Sequence, residues 1–110
     1  MASRSSSEAT KSPFPRRLRA ARKRAGLTQE QAAAKAGIDE YSASARMSQY
    51  ETGKHVPHFE TVKRFAAALG VPTEYFYTVD ERTAEFLLLW HGLSSVRRGE
   101  LLALLSRQSG

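Results

Sequence analysis

The sequence predicts an all-α fold, with five short helices in one domain and a further pair of helices at the C-terminus. Apolar residues recur at helical spacing in short segments, and most of these segments end at a glycine, which can take the left-handed conformation that stops a helix. A threonine with a glutamine three residues later marks one helix start as a capping box. The length of 110 residues and the apolar content of 41% indicate one domain with a modest core and a tail.

The N-terminal segment combines a basic arm with the first helix. Residues 1–13 contain five serines and no apolar cluster, and we therefore expect a disordered arm there. The first helix is predicted from about Pro15 to Ala25. Leu18, Ala21 and Ala25 face inward at i, i+3 and i+7, and arginine and lysine occupy most of the other positions.

The second and third helices, at about 29–36 and 43–52, are the centre of the predicted domain. Thr28 and Gln31 form the capping box that starts the second helix, and Gly37 stops it. The residues expected to face the core from these two helices are Ala32, Ala33, Ala36, Ala43, Met47 and Tyr50. Small side chains at a helix crossing, with a glycine between the two helices, are typical of a helix-turn-helix.

Two further helices complete the domain, which we place at residues 14–78. The fourth is predicted from about Phe59 to Leu69, where Gly70 follows, and the fifth is a short helix that ends at about Tyr77. The side chains expected in the core from these helices are Val62, Phe65, Ala66, Leu69, Tyr75 and Phe76.

Residues 79–110 are predicted to form a separate helical pair. Asp80 and Glu81 favour a helix start, and Gly92 separates the two helices. The pair is apolar over a wider arc than one small domain can cover, which indicates an interface. We expect a homodimer contact; the alternatives are that the helices fold back onto the domain or bind a partner protein. The candidate contact residues are Phe86, Leu89, Trp90, Leu101, Leu104 and Leu105.

The positive charge is concentrated at the N-terminus. Residues 1–25 hold eight basic residues and one acidic residue, whereas the rest of the chain holds nine basic and ten acidic residues. The net charge of +6 therefore belongs to the arm and the first helix, which indicates a polyanionic partner. The alternative is a basic arm that only maintains solubility.

Through several motifs in the correct order, the chain resembles the Cro and phage-repressor family of bacterial DNA-binding domains. The motifs are Thr28-Gln29-Glu30-Gln31, Ala36-Gly37-Ile38, Ser48-Gln49-Tyr50-Glu51-Thr52-Gly53-Lys54, Pro57 and Ala68-Leu69-Gly70-Val71. The match runs from about Pro15 to Tyr77, which is more than half of the chain. The resemblance implies a five-helix, repressor-type helix-turn-helix domain that places its third helix in the major groove of DNA.

The resemblance also implies which residues of the third helix read bases. The matching positions fall on Ser44, Ala45 and Gln49. Gln49 can pair with adenine through two hydrogen bonds, whereas Ala45 can only touch a thymine methyl group. Arg46 lies beside these positions and can reach a guanine or a phosphate. We expect Arg46 and Gln49 to be the main determinants of base preference.

Two residues outside the reading helix are expected to contact the DNA backbone. The resemblance places Gln29, at the start of the second helix, and Lys54, in the loop after the third, on the DNA backbone. Arg16 and Arg17 are expected to add phosphate contacts, because they belong to the basic segment that can lie along a groove.

Two further features concern how the third helix is held. Arg22 and Glu51 match an ion pair of the family that locks the first helix to the third; the alternative is two unrelated surface charges. The family pattern has about four fewer residues between the glycine that matches Gly37 and the glutamate that matches Glu51, which makes Asp39-Glu40-Tyr41-Ser42 an extra segment. Either the third helix starts one turn earlier, or the turn is longer and Ser42 caps the helix. We prefer the longer turn, because phosphates would repel acidic residues at the head of a reading helix.

These features predict a sequence-specific transcription regulator that binds double-stranded DNA. One reading helix covers only a few base pairs, and a homodimer on a palindromic operator is therefore expected. Repression is favoured over activation because it requires only occupancy of a promoter. The alternative is an antitoxin with the same DNA-binding domain, which binds a toxin through residues 86–105.

Other classes are disfavoured by composition and motifs. We find no nucleophile–base pair, no paired carboxylates and no Gly-rich phosphate loop, and we therefore expect no enzymatic activity. The chain has no cysteine, and His55 and His58 lack a third ligand nearby, so neither a metal nor a cofactor is expected. With no apolar segment of membrane-spanning length and no secretory signal, we expect a cytoplasmic, nucleoid-associated protein without membrane contact.

Overall fold

The computed structural model describes residues 11–39 and 41–109, and the regular secondary structure in these residues is entirely helical. The elements are α1 (Phe14–Arg24), α2 (Gln29–Lys35), α3 (Ala43–Thr52), α4 (Phe59–Leu69), a 3₁₀ helix (Thr73–Tyr77), α5 (Glu81–His91) and α6 (Ser95–Ser109). The predicted all-α fold, with five helices followed by a C-terminal pair, is confirmed. Residues 1–10 of the predicted arm lie outside the described residues.

Local sequence signals explain where the helices begin and end. The Thr28 hydroxyl accepts a hydrogen bond from the Gln31 backbone N–H, and the Gln31 side chain accepts one from the Thr28 N–H, which forms the predicted capping box. The Asp80 carboxylate caps α5 by accepting hydrogen bonds from the Thr83 N–H and hydroxyl, both at 2.8 Å. Gly53 ends α3 with a φ of 82°, a conformation that L side chains rarely adopt.

The core lies between α1–α4 and the 3₁₀ helix. Its largest fully buried side chains are Leu18, Met47, Val62, Phe65 and Phe76. The three alanines predicted to face inward from α2 are also buried, and their small size lets α2 pack closely against both α3 and α4. Close packing of α2 and α3 fixes the helix-turn-helix as one rigid unit.

The prediction that Ala25 faces the core is wrong. Ala25 is exposed because it is the C-cap residue of α1, and the chain turns away at Gly26. Leu27, immediately after the turn, packs against the core instead. Leu18 and Ala21 are buried as predicted.

The chain forms the longer turn between α2 and α3, and the third helix does not start one turn earlier. The helix α3 starts at Ala43, and the Asp39 carbonyl accepts a hydrogen bond from the Ser42 N–H at 3.1 Å within the turn. The Asp39 carboxylate also accepts one from the Tyr41 N–H at 3.3 Å. Ser42 occupies the N-cap position, but its side chain makes no capping hydrogen bond. Asp39 therefore lies outside the helix, as the preferred alternative requires.

The two C-terminal helices differ in how they meet the domain. In α5, Ala84 is buried and Leu88 packs partly against the core, whereas α6 contributes no buried residue. The Arg98 guanidinium joins α6 to the end of α5 by donating hydrogen bonds to the carbonyls of Trp90 at 3.1 Å and His91 at 3.0 Å. The same guanidinium lies 5.4 Å from the centre of the Trp90 ring. Within residues 11–39 and 41–109, α5 therefore folds back onto the domain and α6 is held by α5.

Candidate nucleic-acid interface

The helix α3 has a buried side and an exposed side. The buried residues are Ala43, Met47 and Tyr50. Ser44, Ala45 and Arg46 are exposed in the first turn, and Gln49 is partly exposed one turn later. All four candidate base-reading residues are therefore accessible from solvent, in a helix whose opposite side is fixed to the core.

A buried carboxylate connects α3 to α1. Glu51 accepts hydrogen bonds on both oxygens from Arg22, at 2.6 Å from Nε and 3.1 Å from Nη2. The Glu51 side chain is only 5% exposed and that of Arg22 is 13% exposed. A third nitrogen of Arg22 donates to the Leu27 carbonyl at 3.0 Å. The ion pair expected between the first and third helices is present, and it also holds the loop that leads into α2.

The same carboxylate holds a candidate phosphate-binding residue. The Gln29 side-chain amide donates to Oε1 of Glu51 at 3.3 Å, which ties the start of α2 to the last turn of α3. The hydrogen bond that Arg22 donates to Glu51 raises the pKa of the Arg22 guanidinium. Lys54 is exposed directly after α3, and its backbone N–H donates to the Gln49 carbonyl at 2.9 Å. Gln29 and Lys54 therefore both lie at the C-terminal end of α3.

Arg16 and Arg17, which were predicted to contact phosphates, instead make internal contacts. Arg17 is buried, and its guanidinium donates to the carbonyls of Thr78 at 2.8 Å and Val79 at 3.1 Å and to Glu81 at 3.0 Å. Arg16 donates to Glu81 at 2.6 Å and to the Val79 carbonyl at 3.1 Å. The phosphate role predicted for Arg17 is wrong, because every described contact of its guanidinium lies within the fold. Arg16 shares two of the same acceptors.

These contacts give a measurable titration. The hydrogen bond and charge of Arg17, followed by those of Arg16, lower the pKa of Glu81. The pKa of Glu81 is therefore lower in the folded state than in the unfolded state. The contacts of Glu81 with the two arginines stabilise the fold at pH values above the unfolded-state pKa, and this stabilisation is lost as the pH falls through the folded-state pKa. We expect an NMR titration of the Glu81 carboxyl to give a pKa below 4.5, its ordinary value, and Arg17→Met to raise it. An unchanged pKa in Arg17→Met would contradict this assignment.

The C-terminal helices expose several large apolar side chains to solvent. We define the C-terminal apolar surface as Phe86, Leu89, Val96, Leu102, Leu104 and Leu105, which are all exposed. Of the residues predicted for the interface, Trp90 and Leu101 are partly exposed, and the Trp90 ring stacks on Phe86 with 5.9 Å between ring centres. Leu102 belongs to the group of leucines expected to crowd the last helix, whereas Val96, in the first turn of α6, was not predicted.

No group of three or more potential metal-ligating side chains is found within residues 11–39 and 41–109, and His55 and His58 are both exposed. None of the helices in these two ranges is long and apolar enough to cross a membrane.

Comparison with known families identifies the domain. A family model described as a helix-turn-helix domain matches residues 14–75, which is more than half of the chain and includes α1–α4. The chain belongs to the helix-turn-helix family. The resemblance found in the sequence is therefore confirmed at the level of helix-turn-helix regulators.

A solved structure extends the similarity of this helix-turn-helix protein beyond the domain. The crystal structure of transcriptional regulator BswR matches with a TM-score of 0.81 and 39% sequence identity, over 86% of this chain and 93% of that one. Residues 1–78 are fewer than three quarters of the 110 residues, and the match therefore extends into the C-terminal helices. Comparison with curated proteins finds no match. The family and the neighbour support a DNA-binding transcription regulator.

Proposed function

We propose that this helix-turn-helix protein is a repressor that recognises a palindromic operator as a homodimer. The observation that supports it best is the exposed polar side of α3, which the Arg22–Glu51 pair holds rigidly against α1. A helix that enters the major groove must keep its side chains in register with base edges, and rigidity of this kind lowers the cost of binding.

Base recognition is assigned to the first two turns of α3. Gln49 offers an amide that can donate to and accept from adenine, and Arg46 can bind guanine or a phosphate. Ser44 can bond to any base, and Ala45 adds at most an apolar contact with thymine. Gln29 and Lys54 are assigned to phosphates, where they would set the position of α3 in the groove.

Dimerisation is assigned to the C-terminal apolar surface. The exposed fractions of its side chains range from 41% for Phe86 to 70% for Val96, and contact with a second copy would remove this apolar area from water. A two-fold dimer presents two α3 helices at a fixed separation, as a palindrome requires. The same surface would serve an antitoxin by binding a toxin, and the mass of the purified chain alone separates the two functions.

Selection of binding sites from random duplex DNA, followed by sequencing, tests the proposal. A homodimeric repressor should enrich a palindrome with half-sites about one helical turn apart. Placing that palindrome over a reporter promoter should then lower transcription when the protein is present. If the selection enriched no motif, or only a single half-site, the proposal that a homodimer recognises the operator would be contradicted.

The Gln49→Ala variant should relax base preference at one position of each half-site. Loss of a two-bond contact costs about 1–3 kcal/mol of discrimination, which is about 5- to 150-fold, at that position alone.

Lys54→Ala should instead weaken binding to all sequences equally and lower the slope of log affinity against log salt by about 1. Binding to a library of single-base operator variants at several salt concentrations measures both effects.

Matched controls are Gln108→Ala and Lys63→Ala, which remove the same groups from exposed positions in α6 and α4. If Gln49→Ala lowered affinity uniformly across the operator library, the assignment of α3 as the reading helix would be incorrect.

A further inference from the structure

We propose that the contacts of Arg16 and Arg17 with residues 78–81 determine which half-site spacing the dimer accepts. These contacts, which we call the clasp, join α1 to the segment between the 3₁₀ helix and α5. The inference rests on the proposed homodimer and assigns Arg16, Arg17 and Glu81 as positioning residues for DNA recognition.

The clasp is built around the buried side chain of Arg17. Its guanidinium donates to two successive backbone carbonyls and to Glu81, and it lies 5.5 Å from the centre of the Tyr75 ring. Arg16 adds hydrogen bonds to Glu81 and to the Val79 carbonyl. Five hydrogen bonds thus fix the three-dimensional course of residues 78–81, which include no regular helix before Glu81.

Among the described residues, α5 packs against the 3₁₀ helix and makes few other contacts that fix the direction in which it leaves the domain. Ala84 is the buried residue of α5, and Leu88 adds a partly buried contact with the core. A small side chain such as alanine offers little area to resist rotation of the helix. The clasp holds the backbone at Thr78 and Val79 and the side chain of Glu81, and it therefore acts on the segment that sets the direction in which α5 starts.

The clasp is connected to the reading helix through α1. Arg17 and Arg22 lie in the same helix, the former bound to the start of α5 and the latter to Glu51 in α3. The path from the C-terminal apolar surface to the exposed side of α3 therefore runs through two arginine–glutamate pairs and one helix. The orientation of α5 consequently determines where each copy of α3 lies in a dimer.

Half-site spacing is sensitive to small changes in this orientation. Two reading helices of a two-fold dimer meet successive turns of the major groove about 34–36 Å apart, and one added base pair moves a half-site by about 3.4 Å. A dimer with fixed α5 helices should therefore strongly prefer one spacing. A dimer whose α5 helices can rotate should accept neighbouring spacings with similar affinity.

The test compares Glu81→Ala with Glu100→Ala. Both variants remove one exposed carboxylate and add one to the net charge, but the ion pair that Glu100 makes in the described structure is with Arg97 of α6 itself, at 3.2 Å. Affinity is measured for the selected palindrome and for versions with one base pair added or removed at the centre. We expect the wild type and Glu100→Ala to bind the altered spacings at least 10-fold more weakly, and Glu81→Ala to reduce this difference to about 3-fold or less.

Further measurements separate the clasp from a general loss of structure. Arg16→Ala, which removes two of the five hydrogen bonds from a half-exposed side chain, should also weaken the spacing preference. Sedimentation should give the same dimer mass for all of these variants, since the clasp lies outside the C-terminal apolar surface. If Glu81→Ala and Arg16→Ala both retained the wild-type preference for one half-site spacing, the inference would be overturned. A wild type that binds single half-sites as a monomer would overturn the proposed homodimer itself.

Discussion

Replacing Glu51 with alanine is expected to lower the free energy of unfolding by about 3–5 kcal/mol, the largest effect on stability that we expect from a single charged residue. The Arg22 guanidinium, which is largely buried, would lose the only carboxylate that it contacts in the described structure. Gln29 would lose its acceptor at the same time. An unpaired buried charge must be either desolvated without compensation or exposed by opening the packing between α1 and α3.

Chemical denaturation of Glu51→Ala and of the exposed-pair control Glu60→Ala measures this effect. Glu60 lies 3.9 Å from Lys63 in a solvent-exposed pair, and its loss should cost at most about 1 kcal/mol. For a domain of this size, the loss predicted for Glu51→Ala corresponds to a fall in Tm of ~12 °C or more. Equal destabilisation in the two variants would show that the Arg22–Glu51 pair is no more important than a surface pair.

A double variant tests whether the cost comes from the unpaired charge. Arg22→Met combined with Glu51→Met removes both charges and leaves apolar side chains of similar length. Replacement of a buried ion pair by apolar groups is often neutral, and the double variant should therefore be more stable than Glu51→Ala. If the double variant binds DNA as well as the wild type does, the charges are not required for the position of α3.

Much of the fold follows from local signals in the sequence. The bounds predicted for the second, third and fourth helices agree with the structure to within one residue. The Thr28 capping box fixes the start of α2, and a left-handed glycine follows the end of each of the three helices. The inward alanines of α2 followed from the 3.6-residue period. The error at Ala25 came from extending that period past the end of the helix, where the chain no longer follows it.

Arg17 shows where composition was a poorer guide than periodicity. Its charge was grouped with the basic arm, but Phe14, Leu18 and Ala21 are all buried, and Arg17 lies among them at helical spacing. That spacing indicates an inward position despite the charge. The partners that make burial possible are the carbonyls of Thr78 and Val79, about sixty residues away, and no local pattern identifies backbone acceptors at that distance.

Only part of the candidate interface could be predicted from the sequence. The apolar stripe of α3 determines which side is buried, and hence that Arg46 and Gln49 lie on the accessible side. The base that each residue meets depends on how the protein docks on DNA, which is a property of the complex and of the dimer. In the proposed dimer, the C-terminal helices would set the dimer geometry and would therefore matter for specificity as much as α3.

Leu105→Glu is expected to convert the proposed dimer to a monomer and to weaken binding to the palindromic operator by 100-fold or more. Leu105 is 46% exposed in the single chain and lies in α6, which contributes no buried residue to the domain. The substitution should therefore leave the fold of each chain unchanged. In a dimer, burial of an unpaired carboxylate in an apolar contact is strongly unfavourable. Loss of the second half-site contact removes an avidity gain of about 10²–10⁴.

Ser106→Glu is the matched control, because it adds the same charge at the adjacent exposed position of α6. Sedimentation equilibrium measures the mass, and titration of an operator and of a single half-site measures the two affinities. Leu105→Glu should lose affinity for the operator but keep the wild-type affinity for the half-site, since α3 and the Arg22–Glu51 contact that holds it are unchanged. If Leu105→Glu remained dimeric, we would conclude that the dimer contact lies outside α6. A wild-type chain that is monomeric alone would favour the antitoxin alternative, in which the C-terminal apolar surface binds a different protein.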